Sequence, residues 1–315
     1  MGLVHLRLVS PPGLSDELVD RLTANRHVLN VVRHRATVRS PAGDALECDV
    51  LRGAANEVLG LLRELGVDRD GSITVDDAGT VFSARAQRLE AEEPTALLYA
   101  PLWSAVEARI REEGTYLPSF YLLLVIAGLI GSVGILTNSQ ILIVAAMVVG
   151  PEYNAILSVA LGLDRRNRRR VRQGLLALAL GFLLAIAVTL AFSLLVRGFQ
   201  LEPRAYRLGL RPVSNLIDTP NFFSLVVAVL AGVVGIVSIT EARGSALLGV
   251  FISVTTIPAA SDIAVSLAFD SWHEAWGSLL QLLLNVVVLI VVGLAVLRAV
   301  RRIWRRVARM PRPAP

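Results

Sequence analysis

Beyond Leu117 the chain reads as six apolar segments, each near the roughly 20 residues that cross about 30 Å of hydrocarbon. They run Phe120 to Leu136, Ile141 to Leu163, Gly174 to Val196, Phe222 to Thr240, Ala246 to Phe269 and Ser278 to Leu297. A hydrophobic content of 54% is more than a soluble core needs, and the excess lies here. The pattern predicts an α-helical integral membrane protein with six transmembrane helices at residues 119–297.

The residues before that point mix charge and apolar side chains at a density suited to a small soluble domain. Val4 to Val9 alternates as a strand, Ser15 is placed to cap a helix carrying Leu18, Val19 and Leu22, and Val28 to Arg39 alternates again. Pro41-Ala42-Gly43-Asp44 suits a hairpin turn into Ala45 to Leu51. Ala54 to Leu65 carries Val58, Leu61, Leu62 and Leu65 at helical spacing, Gly66 ends it, and Ser72 to Val75 is a last strand. The order is βαββαβ, an α+β ferredoxin-like unit expected at residues 1–82 and reminiscent of ACT-type regulatory modules. Metabolite sensing and assembly both suit such a module, because fold alone does not choose a ligand. Residues 83–118 read as a linker, polar at first and then amphipathic, with Leu102, Trp103, Val106 and Ile110 at helical spacing, a helix that would lie on the membrane surface or pack on the soluble domain.

The formal charge of +5 comes entirely from arginine. Those arginines cluster against apolar spans: Arg165, Arg166, Arg168, Arg169, Arg170 and Arg172 after the second, and Arg298, Arg301, Arg302, Arg305, Arg306 and Arg309 after the sixth. That placement anchors cytoplasmic ends and argues against nucleic acid as partner. Both termini, including the Arg-rich tail 298–315, are expected in the cytoplasm of a bacterial inner (plasma) membrane. The loop from Arg197 to Asn221 fits least well, since it carries Arg204, Arg207 and Arg211 on the expected outer side. Cys48 is the single cysteine, so no internal disulfide forms, and His5, His27 and His34 lack metal-ligand spacing. No cofactor or metal is expected. HExxH, GxSxG and Cys/His clusters are missing, which argues against an enzyme.

The membrane region echoes itself. Ile126-Ala127-Gly128-Leu129-Ile130-Gly131 returns as Leu230-Ala231-Gly232-Val233-Val234-Gly235, and Ser158 to Asp164 returns as Ala264 to Asp270. Three spans per repeat (119–196 and 221–297) place the second repeat upside down relative to the first, the inverted arrangement common in secondary transporters. Gene duplication in a membrane scaffold leaves the same echo. Each repeat has a Gly/Pro interruption, at Gly150-Pro151 and at Pro258, which predicts broken second helices with unsatisfied carbonyls and a freed N-terminus. Glu152 and Asp262 stand close to the breaks, where an ionised acid costs on the order of 2.5 to 3.5 kcal/mol. One reading has them bind a cation or proton in a polar pathway with Asn154, Ser158, Thr255, Thr256 and Ser261. The other has Glu152 reach an interface or carry its proton, while Asp262 accepts hydrogen bonds from neighbouring helices. Gly128, Gly131, Gly134, Gly232 and Gly235 suit close helix packing, and Gln281 and Asn285 suit hydrogen bonds across helices. The short turns Asn138-Ser139-Gln140 and Glu241-Ala242-Arg243-Gly244 read as plain turns rather than gates.

The stretch from Ala127 to Ser139, Ala-Gly-Leu-Ile-Gly-Ser-Val-Gly-Ile-Leu-Thr-Asn-Ser, followed by Ala145-Ala146-Met147-Val148-Val149-Gly150-Pro151, resembles the bacterial and archaeal hydrophobic family known as domain of unknown function 389. The resemblance runs from about Pro101 to Leu297. It departs from the usual pattern at Ala145, where a glycine is common, and at Glu152, where an apolar residue is common. The family carries no established activity, so the resemblance implies the membrane fold and leaves the function to the residues. The expectation is a homo-oligomeric transporter or channel-like permease for a small polar solute, cation or proton, regulated or assembled through its cytosolic domain. The alternative is a non-transporting sensor or scaffold whose first domain binds a metabolite or partner.

Overall fold

The computed structural model describes residues 2–77, 81–92, 100–209, 211–219, 221–240 and 255–307. The chain divides into two compact units, Met1–Val106 with Arg301–Pro315, and Glu107–Val300.

In the first unit β1 (Leu3–Ser10), α1 (Pro12–Ala24), β2 (Val28–Arg39), β3 (Ala42–Leu51), α2 (Arg52–Glu64), a single turn α3 (Val67–Asp70) and β4 (Ser72–Asp77) follow in order. The strands form one antiparallel sheet, β2-β3-β1-β4, the arrangement that a βαββαβ order with a β2–β3 hairpin produces. Strand alternation sorts the side chains. Val4, Leu6, Leu8, Leu46, Cys48 and Val50 pack on one face with Leu18, Leu22, Val58 and Leu62 of the helices, while Leu3, Leu29 and Leu51 point the other way. That second face is covered by α4 (Ala84–Glu92) through Ala86 and Leu89, and Leu102 joins the main core. The segment expected as a linker therefore supplies core residues. Ser15 does not cap α1; Pro11 precedes the helix, Pro12 opens it, and the Ser15 hydroxyl donates to the Pro11 carbonyl at 3.1 Å. The β2–β3 turn is Ser40-Pro41, with Arg39 paired to Ala42, so Ala42, Gly43 and Asp44 lie in the strand rather than the turn.

β2 is irregular between Leu29 and Val32 and between His34 and Val38. The Asp44 carboxylate holds the second irregularity, accepting from the Ala36 amide at 2.7 Å and from Arg33, which also pairs with Asp16. The Ala36 amide first, and then the Arg33 guanidinium, hold Asp44 below the usual carboxylate range. Burial, and secondarily Asp49, pushes the Cys48 thiol up to about 12, which makes it a packing residue rather than a nucleophile.

The second unit begins within α5 (Trp103–Glu113) and holds α6 (Pro118–Leu136), α7 (Gln140–Val149), α8 (Glu152–Asp164), α9 (Arg168–Gly198), the short α10 (Arg204–Arg207) and α11 (Pro212–Ile217), α12 (Phe222–Thr240), α13 (Thr256–Ala268) and most of α14 (Trp272–Val307). Among the described residues four helices, α6, α9, α12 and α14, are long and apolar enough to cross a membrane, and α7 with α8 makes a fifth if that pair is one span. The pair bends by 47° at Gly150-Pro151. α13 has 13 residues, about 20 Å, too short to cross alone, and residues 246–254 of the expected fifth span lie outside the described residues, as does the expected turn at 241–244. Several spans make this a multi-pass membrane protein.

The glycines act by close approach. A Cβ at Gly128 would lie 2.8 Å from Thr189 Oγ1 of α9, and one at Gly232 would lie 2.8 Å from Val292 Cγ1 of α14. A Cβ at Gly131 would overlap the Ser261 hydroxyl of α13, and one at Gly235 would overlap the Tyr153 hydroxyl of α8. Each α6 or α12 glycine pair thus receives one helix of its own half and one helix of the other.

Candidate functional site

Both interruptions fall at helix starts. Pro151 is the N-cap of α8 and Pro258 is the third residue of α13, positions where a missing N–H removes no intrahelical bond. At Gly150-Pro151 the expected break separates α7 from α8, whereas Pro258 lies in the first turn of α13, and residues 241–254 before that helix lie outside the described residues; each proline thus stands at the start of a half-helix of 13 residues.

The two starts touch. Thr256, first residue of α13, donates its hydroxyl to Glu152 Oε1 at 2.7 Å, and Glu152 is the first residue of α8. A Cβ at Gly150 would lie 2.8 Å from Ile257 Cγ1 and would overlap Glu152 Oε2, so glycine is what lets the carboxylate fold back against the chain there. Glu152 is 4% exposed, and its Oε2 is buried with no hydrogen-bond partner among the described residues. Two positive helix ends beside one carboxylate are electrically complementary, and the last carbonyls of α7 lie at the same break without intrahelical donors.

Thr255 continues the polar surface. Its hydroxyl oxygen accepts from Asn285 Nδ2 at 2.8 Å and lies 3.4 Å from Gln281 Nε2, while Gln281 Oε1 is buried without a partner among the described residues. Asp262, two turns along α13 from Thr255, is fully buried. Its Oδ1 accepts from Ser214 at 2.6 Å, and its Oδ2 accepts from Ser278 at 2.6 Å and Ser266 at 3.4 Å. Ser278, Gln281 and Asn285 form one stripe on α14 that meets α13 at both positions.

Of the residues expected in one pathway, Gly150, Pro151, Glu152, Thr255, Thr256 and Pro258 lie at the meeting of the half-helices. Asp262 lies six residues beyond Thr256, about 9 Å along the axis, in a separate cluster. Ser261 sits in the Gly131 notch, its hydroxyl 3.0 Å from both the Gly128 and Ile257 carbonyls. Ser158 faces Gly114 and Tyr116 rather than the break. Asn154 is half-buried one turn into α8. Sequence reasoning missed Ser214 altogether and gave no place to Ser278, although the 278, 281, 285 spacing was a usable signal.

The loop that suited the outer side poorly packs over the Asp262 end. Tyr206 is fully buried with its ring 5.1 Å from Phe269, and Arg211 lies 4.4 Å over the Tyr206 ring. Arg197, Arg207 and Arg211 pair with Asp270, Glu202 and Glu274 at 2.6, 3.0 and 3.1 Å. Among the described residues no set of three His, Cys, Asp or Glu side chains is arranged to hold a metal ion.

No curated protein and no solved structure matches the chain. Residues 147–291, which contain both half-helices, both buried acids and the polar stripe of α14, match the family model described as a domain of unknown function (DUF389).

Proposed function

We propose that the protein is a transporter or channel-like permease for a small polar solute or ion, with Glu152 as the proton- or cation-binding group. One observation carries the reading: a buried carboxylate oxygen with no hydrogen-bond partner among the described residues, held where two half-helices begin. Irregular backbone at membrane depth is stable only where it is buried in protein or lines a polar path, and such junctions serve as transport sites. A proton on Oε2, or a cation shared with the α7 carbonyls, would satisfy it.

Six spans in two inverted repeats fit this reading. The reciprocal packing supports them, since Gly131 of the first half receives Ser261 of the second and Gly235 of the second receives Tyr153 of the first. The arginine clusters that follow the second and sixth spans outnumber those of the 197–211 loop, and they support placing both termini in the cytoplasm of a bacterial inner membrane. The first unit regulates the pore or joins protomers of a homo-oligomer, and neither nucleic acid nor an enzymatic reaction enters the proposal.

The second reading is a non-transporting sensor or scaffold. It is favoured by Asp262, whose hydroxyl partners leave it nothing to bind. The test is ion and solute flux into liposomes bearing the full chain, alongside thermal stability against a panel of ions, pH values and small metabolites. Transport predicts that Glu152→Gln abolishes flux and the ligand-dependent shift while assembly survives. A silent Glu152→Gln, with a ligand shift that disappears on removal of the first domain, would establish the sensor instead.

A further inference from the structure

The turn joining α8 to α9 forms an open groove of about 730 Å³, walled by Leu163 of α8, by Arg166, and by Arg168, Arg172, Leu175 and Leu176 along α9. No acid lines it. Neighbouring arginines are paired, Arg165 with Glu107 and Arg298 with Asp164, yet Arg166, Arg168 and Arg172 have no carboxylate partner among the described residues. Three unneutralised guanidinium groups in one concavity form an anion site, because each presents a planar fork matched to phosphate oxygens.

The walls decide which anion. Leu175 and Leu176 are 45% and 47% exposed, and from Leu176 the exposed apolar stripe continues through Leu180 and Leu183 at helical spacing. A soluble phosphate would use the arginines and leave that stripe uncovered. A diacylated phosphate uses both, with the headgroup among the arginines and a chain along α9. Position agrees, since the arginines stand where α9 leaves its apolar stretch.

We propose that this groove binds the headgroup of an anionic glycerophospholipid. The site is independent of the Glu152 junction, so either proposal stands if the other fails.

The test uses the full chain in detergent, with phosphatidylglycerol, phosphatidylcholine, glycerol phosphate or inorganic phosphate added, reading lipid retention by native mass spectrometry and the thermal midpoint. Phosphatidylglycerol is expected to be retained and to raise the midpoint, and the other three are not. R168Q/R172Q is expected to weaken retention roughly thirtyfold, whereas the charge-matched R302Q/R306Q leaves it unchanged. If R168Q/R172Q does not fold, R168K/R172K keeps the charge, and loss of the planar fork still weakens retention. Equal protection by inorganic phosphate, equal loss in R302Q/R306Q, or full retention in the lysine variant overturns the proposal.

Discussion

Glu152 and Asp262 are both acids buried in apolar helices, yet they are accommodated in opposite ways. Asp262 is surrounded: hydroxyls from α11, α13 and α14 reach both of its oxygens, so the charge or proton it carries is shared by three helices. Glu152 has one hydroxyl, from Thr256, and a second oxygen without a protein donor among the described residues. Burial alone therefore does not mark a functional acid. The completeness of its hydrogen bonding separates a structural knot from a group left able to bind.

The largest expected effect breaks the comparison directly. Asp262→Ala orphans Ser214 and Ser278 in the interior and should lower stability by about 3 kcal/mol, whereas Glu152→Gln should change it by less than about 1 kcal/mol while abolishing flux. Denaturant unfolding of both variants in the same detergent decides the matter, and equal losses would erase the distinction. Next come the hydroxyls. Ser278→Ala should cost about 2 kcal/mol, and Thr256→Val, which keeps the shape and removes one bond, about 1 kcal/mol. Gly150→Ala should cost about 1 to 3 kcal/mol by crowding Ile257, and because it also displaces the Glu152 carboxylate it should lower flux as Glu152→Gln does, while Gly13→Ala, where nothing lies nearby, should be silent.

The smallest effect adds a third acid, outside the membrane. Asp44 in the folded domain stays ionised below the pH at which an unfolded aspartate takes up its proton. Its stabilising contribution is therefore complete above about pH 4 and is lost as pH falls through the lower folded value. The protection factor of the Ala36 amide in the full chain, its exchange rate relative to that of an unprotected amide at the same pH, should fall on acidification through that window. Asp44→Asn should show a low protection factor there that is nearly independent of pH.

Much of this arrangement was legible in the residues. Period-2 and helical spacing gave the order of elements in the first domain, and Gly150-Pro151 gave the break between α7 and α8, because local backbone chemistry decides both. The repeated glycines likewise announced close packing. What could not be read were partnerships between distant residues. Ser214 meets Asp262 across 48 positions from a loop whose arginines looked misplaced, and nothing local to that serine marks it. Ser158 and Ser261 looked equivalent to Thr256 as small hydroxyls near the breaks. Which face of each helix they occupy, and what stands opposite, depends on helix rotation and packing angle, which composition does not set. The core residues within 83–118 were hidden for a similar reason: Ala86, Leu89 and Leu102 are too few and too dispersed to look like core, yet Ala86 and Leu89 pack on the second face of the sheet and Leu102 joins its main core.

The Gly131 and Gly235 notches have a mechanical consequence. Tyr153 stands beside Glu152 and seats its phenol against α12, while Ser261 on α13 seats against α6. If α8 turned about its axis to carry Glu152 from one side of the barrier to the other, Tyr153 would have to climb out of its socket or drag α12 along. The same holds for α13 and α6. The two halves behave like meshed gears with one tooth each, so that a rotation begun at either break would be felt in the opposite half.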